Sequence, residues 1–137
     1  SVILRKEQGM AAPFLVLDSA MNELLRPSMY DAWHGILPLA PQAFSQPTEL
    51  AHVVGPVCES GDTFARDRLL PRLERGARVA ILDTGAYGSV MSSTYNSRPL
   101  AAQVLVEDGR WKVIRHRQTV EELWQDETMP SHLAGHA

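Results

Sequence analysis

Cysteine, long apolar runs and clustered basic residues are scarce in this chain, and each shortage argues against a class of protein. One cysteine among 137 residues cannot form an intramolecular disulfide. Such usage is typical of a reducing cytoplasm and leaves one thiol available for chemistry. No apolar run reaches the roughly eighteen residues that a membrane helix needs. We therefore expect a cytoplasmic protein without a membrane partner.

Charge and histidine usage exclude two further kinds of ligand. Thirteen basic and sixteen acidic residues give a formal net charge of −3, and no stretch concentrates lysine and arginine. Phosphate backbones require such a concentration, so nucleic acid is not an expected partner. The five histidines are scattered, and no His/Cys set has metal-ligand spacing. We expect no metal site.

The apolar pattern predicts a single, mainly β domain over residues 1–137. A chain of this length buries about two thirds of its unfolded surface in one core. Asp108-Gly109, between segments with alternating branched residues, predicts a tight β-hairpin turn. Thr119 and Glu122 form a capping-box pattern that predicts a short helix. Apolar, β-branched runs predict further strands at 2–8, 12–17, 50–54 and 79–82.

Three other segments are harder to assign. Pro27 disfavours helix at the residue before it, so a helical turn is expected over 28–34. Residues 37–49 contain three prolines and few charges, which predicts an irregular surface loop. Residues 63–73 contain three arginines, which we interpret as a solvated face.

Residues 55–62, GPVCESGD, form the stretch around which the chain is organised. They place Cys58 beside Glu59 on a Gly/Pro-bounded connection that follows the strand predicted at 50–54. Loops at strand ends are common sites of chemistry, so this pattern favours a functional loop. A lone cysteine is also often a small buried hydrophobe. Both interpretations stay open at this point.

Two further segments present polar groups of the same kind. Residues 83–88, DTGAYG, place Tyr87 between Gly85 and Gly88, whose conformational freedom would bring the ring close to a bound group. Arg26 and Tyr30 are four residues apart and would share one face of a helical turn, offering a guanidinium and a hydroxyl to one carboxylate. The alternative is a surface arginine beside a partly buried tyrosine. A guanidinium, phenols, a carboxylate and a thiol together suit a small zwitterionic substrate such as an amino acid.

Four stretches in this order and spacing carry a resemblance to a known family. They are MNELLRP at 21–27 with Tyr30, the Cys58 loop, the Tyr87 loop, and YNSRP at 95–99. The chain closely resembles the C-terminal part of the diaminopimelate decarboxylases, which are fold-type III pyridoxal-phosphate enzymes that make lysine. The resemblance covers residues 18–117. It implies a C-terminal β-barrel, Greek-key-like, with a few short helices.

The resemblance also implies a role for each candidate residue. Cys58 would be the catalytic proton donor, and Glu59 would bind the distal ammonium of the substrate. Arg26 and Tyr30 would bind the distal carboxylate, and Tyr87 would lie beside both the substrate and the cofactor, pyridoxal 5′-phosphate. In the family the Cys58 loop reaches the active site of the other subunit, which implies a homodimer with the active site at its interface.

The resemblance further implies that essential parts lie outside this chain. The lysine that bonds to the cofactor belongs to the family's N-terminal (β/α)8 domain, and neither Lys6 nor Lys112 has its sequence context. The first residue is not methionine, so we expect a fragment of a longer enzyme that is inactive alone. We also expect the β-barrel to borrow strands from the N-terminus of the full chain.

Two alternatives remain. The first is a related decarboxylase acting on ornithine, arginine or carboxynorspermidine. Ornithine has no distal carboxylate, so Arg26 and Tyr30 would have nothing to bind, whereas diaminopimelate would use them together with Glu59. The second is a non-catalytic β-barrel interaction domain, in which Cys58 would be buried and inert.

Overall fold

The computed structural model describes residues 1–132 and is mainly β, as predicted. Its two compact units are Ser1–Ser93 and a second unit beginning at Thr94. That both belong to one domain stays a prediction. The strands are β1 Val2–Gln8, β2 Ala11–Leu17, β3 Ile36–Pro38, β4 Thr48–Val54, β5 Thr63–Pro71, β6 Val79–Ile81, β7 Gln103–Glu107 and β8 Arg110–Arg115. The helices are α1 Arg26–Tyr30 and α2 Gly85–Gly88, with single 3-10 turns at Pro41–Ser45, Tyr95–Ser97 and Glu121–Leu123.

The first unit is built on a four-stranded sheet in the order β1-β2-β4-β5. The two predicted strands β1 and β2 form an antiparallel hairpin, in which Val2 pairs with Leu17. β2 and β4 run parallel, and β4 and β5 are antiparallel. The turn that joins β4 to β5 is therefore a hairpin loop at one end of the sheet, and it contains Cys58.

Alternate side chains of this sheet form the core of the first unit. Leu15 and Leu17 on β2 are 1% and 2% exposed, and Val53 on β4 is 1% exposed. Burying one such side chain contributes about 1.5–3 kcal/mol to stability. Phe64, at the start of β5, belongs to the same cluster. The core therefore fixes the strands on both sides of the Cys58 loop.

Strand β5 was not predicted. Residues 63–71 form a nine-residue strand, while Arg66 and Arg72 are exposed, as the interpretation of a solvated face expects. Pairing with β4 and burial of Phe64 and Leu70 outweigh the arginine-rich composition. β5 lies at the edge of the sheet, where Pro71 is tolerated because it need not donate to a further strand.

The prediction of an irregular loop over 37–49 is wrong in part. β3 ends at Pro38 and pairs antiparallel with β6, so that Ile36 lies opposite Ile81. Ile36 is buried, and this burial favours a short strand in spite of the prolines. The remainder of the segment includes the 3-10 turn at Pro41–Ser45 and the first residues of β4.

The second unit contains the predicted hairpin of β7 and β8. Asp108 and Gly109 both have positive φ angles, 48° and 72°, as a type I′ turn requires. The capping box is also present, because the Thr119 N–H donates to Glu122 Oε2 and the Glu122 N–H donates to Thr119 Oγ1. The helix that it begins is only one 3-10 turn, Glu121–Leu123.

The sheets of the described residues are open. The structure contains one four-stranded sheet and two two-stranded sheets among residues 1–132, and none of them closes on itself. The mainly β class is confirmed, while the closed barrel stays a prediction.

Candidate functional site

Cys58 lies on the loop between β4 and β5, and its thiol is exposed. The structure therefore agrees with a loop at a strand end. The interpretation of Cys58 as a small buried hydrophobe is wrong. Among the described residues no hydrogen bond holds the thiol, so its position depends on the backbone of the loop.

Glu59 is exposed beside Cys58, so the loop presents a carboxylate and a thiol at adjacent positions. The Oε1 atom of Glu59 accepts a hydrogen bond from the Gly61 N–H at 3.1 Å. An exposed carboxylate in this position can bind an approaching cation, and the neighbouring thiol can donate a proton.

Buried Asp62 closes the same loop. Its carboxylate accepts hydrogen bonds from the Val57 N–H at 2.8 Å and from the Met21 N–H at 2.7 Å. Its backbone carbonyl accepts from the Gly55 N–H at 2.9 Å, and its N–H donates to the Glu59 carbonyl at 3.0 Å. The turn that contains Cys58 and Glu59 is therefore fixed at both ends.

Arg26 and Tyr30 lie on α1, as the first and last residues of this single helical turn. The helix begins two residues before the predicted segment 28–34. Pro27 lies in its first turn, where a backbone N–H has no acceptor within the helix, so the lack of an N–H in proline costs no hydrogen bond. Asp31 ends the helix in a left-handed conformation with φ 53°. Arg26 is half-buried, whereas Tyr30 is 62% exposed. The four-residue spacing puts both on one helix face.

Tyr87 lies beside Arg26. The guanidinium carbon of Arg26 is 5.8 Å from the centroid of the Tyr87 ring, within the range of a cation–π interaction. Tyr87 itself has a positive φ angle of 68°, while its glycine neighbours do not. The expectation that Gly85 and Gly88 provide the unusual backbone is therefore wrong. A left-handed conformation costs a non-glycine residue about 1–2 kcal/mol.

A groove of about 670 Å³ separates α1 and its following residues from the start of β5. Tyr30 lines one side, and Gly61 of the Cys58 loop lines the other. A Cβ on Gly61 would lie only 2.9 Å from Ser28 Oγ, so the end of the loop packs closely on α1. The groove thus connects two of the predicted site segments.

Sequence reasoning missed three residues that line this groove: Trp33, Arg66 and Arg68. The guanidinium carbon of Arg68 lies 4.5 Å from the centroid of the Trp33 ring, and its Nη1 donates to the His34 carbonyl at 2.8 Å. Burial lowers the pKa of Arg68. Arg66 and Arg68 are two residues apart, but a β-bulge at Asp67, whose φ angle is 46°, interrupts the alternation between them, so the strand period alone does not identify them.

The predicted site residues fall into two groups. The structure brings Arg26 and Tyr87 into contact, and the groove joins Tyr30 to the end of the Cys58 loop. Within residues 1–132, no hydrogen bond or ion pair connects the loop pair to the other group, namely Cys58 or Glu59 to Arg26, Tyr30 or Tyr87.

Metal-binding clusters and membrane-spanning helices are both absent from residues 1–132. No group of three or more His, Cys, Asp and Glu side chains in residues 1–132 is placed to hold a metal ion. None of the helices in this part of the chain has the length and apolar character needed to cross a membrane.

Residues 1–85 match a known protein family. The matching family is described as "Pyridoxal-dependent decarboxylase, C-terminal sheet domain". The match includes α1, the Cys58 loop and the sheet that carries it.

Similar proteins are diaminopimelate decarboxylases. The chain is 46% identical over 127 residues to that of Zymomonas mobilis, covering 93% of this chain and 30% of the relative. It is 46% identical over 120 residues to that of Archaeoglobus fulgidus, covering 88% of this chain and 28% of the relative. The crystal structure of the Helicobacter pylori enzyme with L-lysine matches at a TM-score of 0.82 and 44% identity, covering 90% of this chain and 29% of that one. The chain therefore spans less than a third of the length of these relatives.

Proposed function

The chain belongs to the pyridoxal-dependent decarboxylases through their C-terminal sheet domain, and from this premise we propose that it is the C-terminal part of a diaminopimelate decarboxylase. The full enzyme would convert meso-2,6-diaminopimelate to L-lysine and CO2. One observation carries this proposal: Cys58 and Glu59 are presented together, both exposed, on a loop whose backbone is fixed. Similarity to diaminopimelate decarboxylases over 93% of the chain supports the choice of substrate.

Cys58 acts as the proton donor in this proposal. Loss of CO2 leaves excess electron density on the α-carbon, which must then take a proton. The S–H bond of Cys58 breaks as the new C–H bond forms, and the thiolate is reprotonated from solvent. Exposure of the thiol supports this role, because a group that serves a bound substrate must be reachable from outside its own domain.

The other residues hold the end of the substrate that does not react. Glu59 binds the distal ammonium by a charged hydrogen bond. Arg26 and Tyr30 bind the distal carboxylate with a forked guanidinium and a phenol on one face of α1. Tyr87 lies beside the substrate and the cofactor, and its 59% exposure leaves it accessible for such a contact. Together these groups bind both the ammonium and the carboxylate at the distal end of diaminopimelate.

Pyridoxal phosphate, when bound, supplies the electron sink that makes the loss of CO2 possible. This chain has a residue that can contact such a cofactor, but it has no lysine placed to bond to it covalently. The exposed Tyr87 ring can lie against it, whereas Lys6 and Lys112 are exposed side chains on β1 and β8. We therefore propose that the anchoring lysine and the phosphate site come from an N-terminal (β/α)8 domain.

Exposed apolar side chains support the proposed partners. Met29, Tyr30 and Trp33 are 56%, 62% and 72% exposed around α1. Such a surface is typical of a face that another domain or subunit covers. We propose that the N-terminal domain and a second subunit cover it in a cytoplasmic homodimer, with Cys58 and Glu59 reaching the partner's active site.

The proposed barrel requires strands from elsewhere in the full enzyme. β1 is an edge strand of the four-stranded sheet, and Ile3 and Leu4 on it are 40% and 50% exposed. An edge with exposed apolar side chains is suited to pairing with a further strand. We propose that strands from the N-terminus of the full chain close this sheet into a Greek-key-like barrel.

The test is an assay of the full-length product of the gene that encodes this chain. With added pyridoxal phosphate and meso-diaminopimelate it should release equal amounts of CO2 and L-lysine, measured by CO2 capture and chiral chromatography. L-ornithine, L-arginine and carboxynorspermidine serve as competing substrates. Preference for any of these three would favour a related decarboxylase, and no turnover of any of the four would favour a non-catalytic interaction domain.

A further inference from the structure

Asp62 is a second carboxylate in the Cys58 loop, and the function proposed above gives it no role. It is only 3% exposed, and it is one of the few buried charged or polar side chains of the described residues. A carboxylate is stable out of water only where hydrogen bonds replace its hydration. The buried carboxylate of Asp62 therefore depends on the groups that donate hydrogen bonds to it.

The carboxylate of Asp62 holds the residue before Cys58. Its Oδ2 accepts the Val57 N–H at 2.8 Å, and the Val57 carbonyl accepts the Glu59 N–H at 2.8 Å. The peptide groups on both sides of Cys58 are thus tied, directly or through Val57, to one buried anion. The thiol has no hydrogen bond of its own in the described structure, so these backbone contacts fix the Cα–Cβ direction from which it extends.

The other oxygen of Asp62 connects the loop to a second site segment. Its Oδ1 accepts the Met21 N–H at 2.7 Å. Met21 lies five residues before Arg26, in the connection that leads from β2 into α1. One carboxylate therefore joins the segment that carries the proposed proton donor to the segment that carries the proposed carboxylate clamp.

Gly55 packs directly against the same carboxylate. A Cβ on Gly55 would overlap both side-chain oxygens of Asp62. The φ angle of Gly55 is not in the left-handed region, so the position requires a glycine for space and not for backbone conformation. The base of the loop therefore has no space for a side chain at position 55 while the Asp62 carboxylate keeps its position.

We propose that Asp62 is a positioning residue that sets the direction in which Cys58 and Glu59 face the substrate. This inference rests on the proposed function, which supplies that substrate. Proton transfer needs the donor and acceptor atoms within about 2.6–3.2 Å. A displacement of about 1 Å can lower the rate about a hundredfold. A looser turn should therefore affect the proton transfer more than the fold.

The experiment compares Asp62→Asn with Asp67→Asn in the full-length gene product. Asn keeps the shape of Asp62, but its amide group cannot accept both N–H groups. We expect kcat to fall about 10- to 100-fold. Asp67 is the matched control, because its side chain is 69% exposed on β5, outside the loop, and Asn tolerates its φ angle of 46°. Its substitution should leave kcat within about twofold of the unchanged protein.

Reaction in D2O separates positioning from simple stabilisation. A single fixed donor places deuterium on one face of the carbon that lost CO2, and the lysine product then has one configuration at that carbon. Asp62→Asn should give a mixture, because solvent can compete with a misdirected thiol. A variant that melts earlier but keeps kcat per folded molecule, with one configuration in the product, would show that Asp62 serves stability alone.

Gly55→Ala provides an independent route to the same displacement. The added methyl group should push Asp62 from its position and give the same loss of kcat and the same mixed configuration. If both variants fail to fold, Asp62 belongs to the folding core and the proposal is wrong.

Amide hydrogen exchange distinguishes this proposal from the proposed function. Exchange at Val57 or Met21, whichever N–H group loses its acceptor, should become about 10- to 100-fold faster in Asp62→Asn, as the loss of a charge-assisted hydrogen bond predicts. This readout does not depend on substrate. If the unchanged protein does not release lysine, the proposed function fails on its own, whereas unchanged exchange at both Val57 and Met21 would overturn the anchoring role separately.

Discussion

The guanidinium carbon of Arg26 lies 5.8 Å from the centroid of the Tyr87 ring, although the two residues are sixty-one positions apart in the chain. The contact joins α1 to the α2 loop and limits the directions in which the guanidinium can point. In the function proposed here, Tyr87 therefore helps to orient the group that binds the distal carboxylate.

Arg26→Lys tests whether the planar guanidinium of Arg26 binds the distal carboxylate through two hydrogen bonds. Lysine keeps the charge but offers no planar fork, so we expect KM for meso-diaminopimelate to rise about 10- to 100-fold, with a smaller effect on kcat. Steady-state kinetics of the full-length gene product measures both. Arg78→Lys, at an exposed position, is the control and should change neither. A fall in kcat with an unchanged KM would contradict the proposed role.

Cys58→Ala should lower turnover far more than substrate affinity. The loss of a positioned proton donor reduces the rate by about a hundredfold to ten-thousandfold. Because Cys58 is exposed, the melting temperature should stay nearly unchanged. Kinetics and a thermal melt of the same preparation give both values, and Ser60→Ala in the same loop is the control. An enzyme that melts early yet turns over normally would show that the thiol is structural.

Glu59→Gln should weaken substrate binding more than it lowers turnover. The amide keeps the shape of the side chain but removes the charge that faces the distal ammonium. We expect substrate binding to weaken by about 1.5–3 kcal/mol, as for one charged hydrogen bond. Equilibrium binding and KM report this change. A variant with unchanged KM and reduced kcat would assign Glu59 to the chemical step.

Arg5→Met should destabilise the first unit. The Arg5 side chain is only 6% exposed, and it donates to Glu49 at 2.7 and 3.2 Å and to Glu7 at 2.6 Å. Although burial opposes it, these hydrogen bonds raise the pKa of Arg5. Removing the guanidinium leaves Glu49 without its nearest partner, which costs about 1–3 kcal/mol.

Arg72→Met is the matched control for this prediction. Arg72 pairs with Glu74 at 2.7 Å, but its side chain is 56% exposed. Exposed pairs contribute about 0–1 kcal/mol, so its melting temperature should change less. Equal shifts for the two variants would show that burial of Arg5 does not strengthen its ion pairs.

The 137-residue chain alone should neither release lysine from meso-diaminopimelate nor bond covalently to pyridoxal phosphate. Its two lysines, Lys6 and Lys112, are exposed on strand surfaces. Borohydride reduction followed by peptide mapping detects any stable adduct. Stoichiometric labelling of either lysine would contradict the proposal that the anchor lies in an N-terminal domain.

Local signals in the sequence were sufficient for several elements. Asp108-Gly109 predicted its hairpin because a type I′ turn needs two residues that accept positive φ. The branched run before Cys58 predicted strand β4, and the Gly/Pro-rich stretch after it predicted the loop. These predictions depend on neighbouring residues only, which is why sequence alone supports them.

The candidate site depended on contacts between distant segments. The pairing of β5 with β4 decided that Arg66 and Arg68 lie on a strand beside the groove. The left-handed conformation of Tyr87 was likewise not predictable, because glycines on both sides were the residues expected to adopt it.

The sequence by itself determined the chain's strand-rich character, its Asp108-Gly109 hairpin turn and the residues that carry its family resemblance, because these are encoded over a few neighbouring positions. Only the tertiary structure decided that Cys58 is exposed while Asp62, four residues later, is buried. Both are compatible with the same turn-rich stretch. The burial of Asp62 depends on a distant segment, because the Met21 N–H, forty-one residues earlier in the chain, donates to its carboxylate.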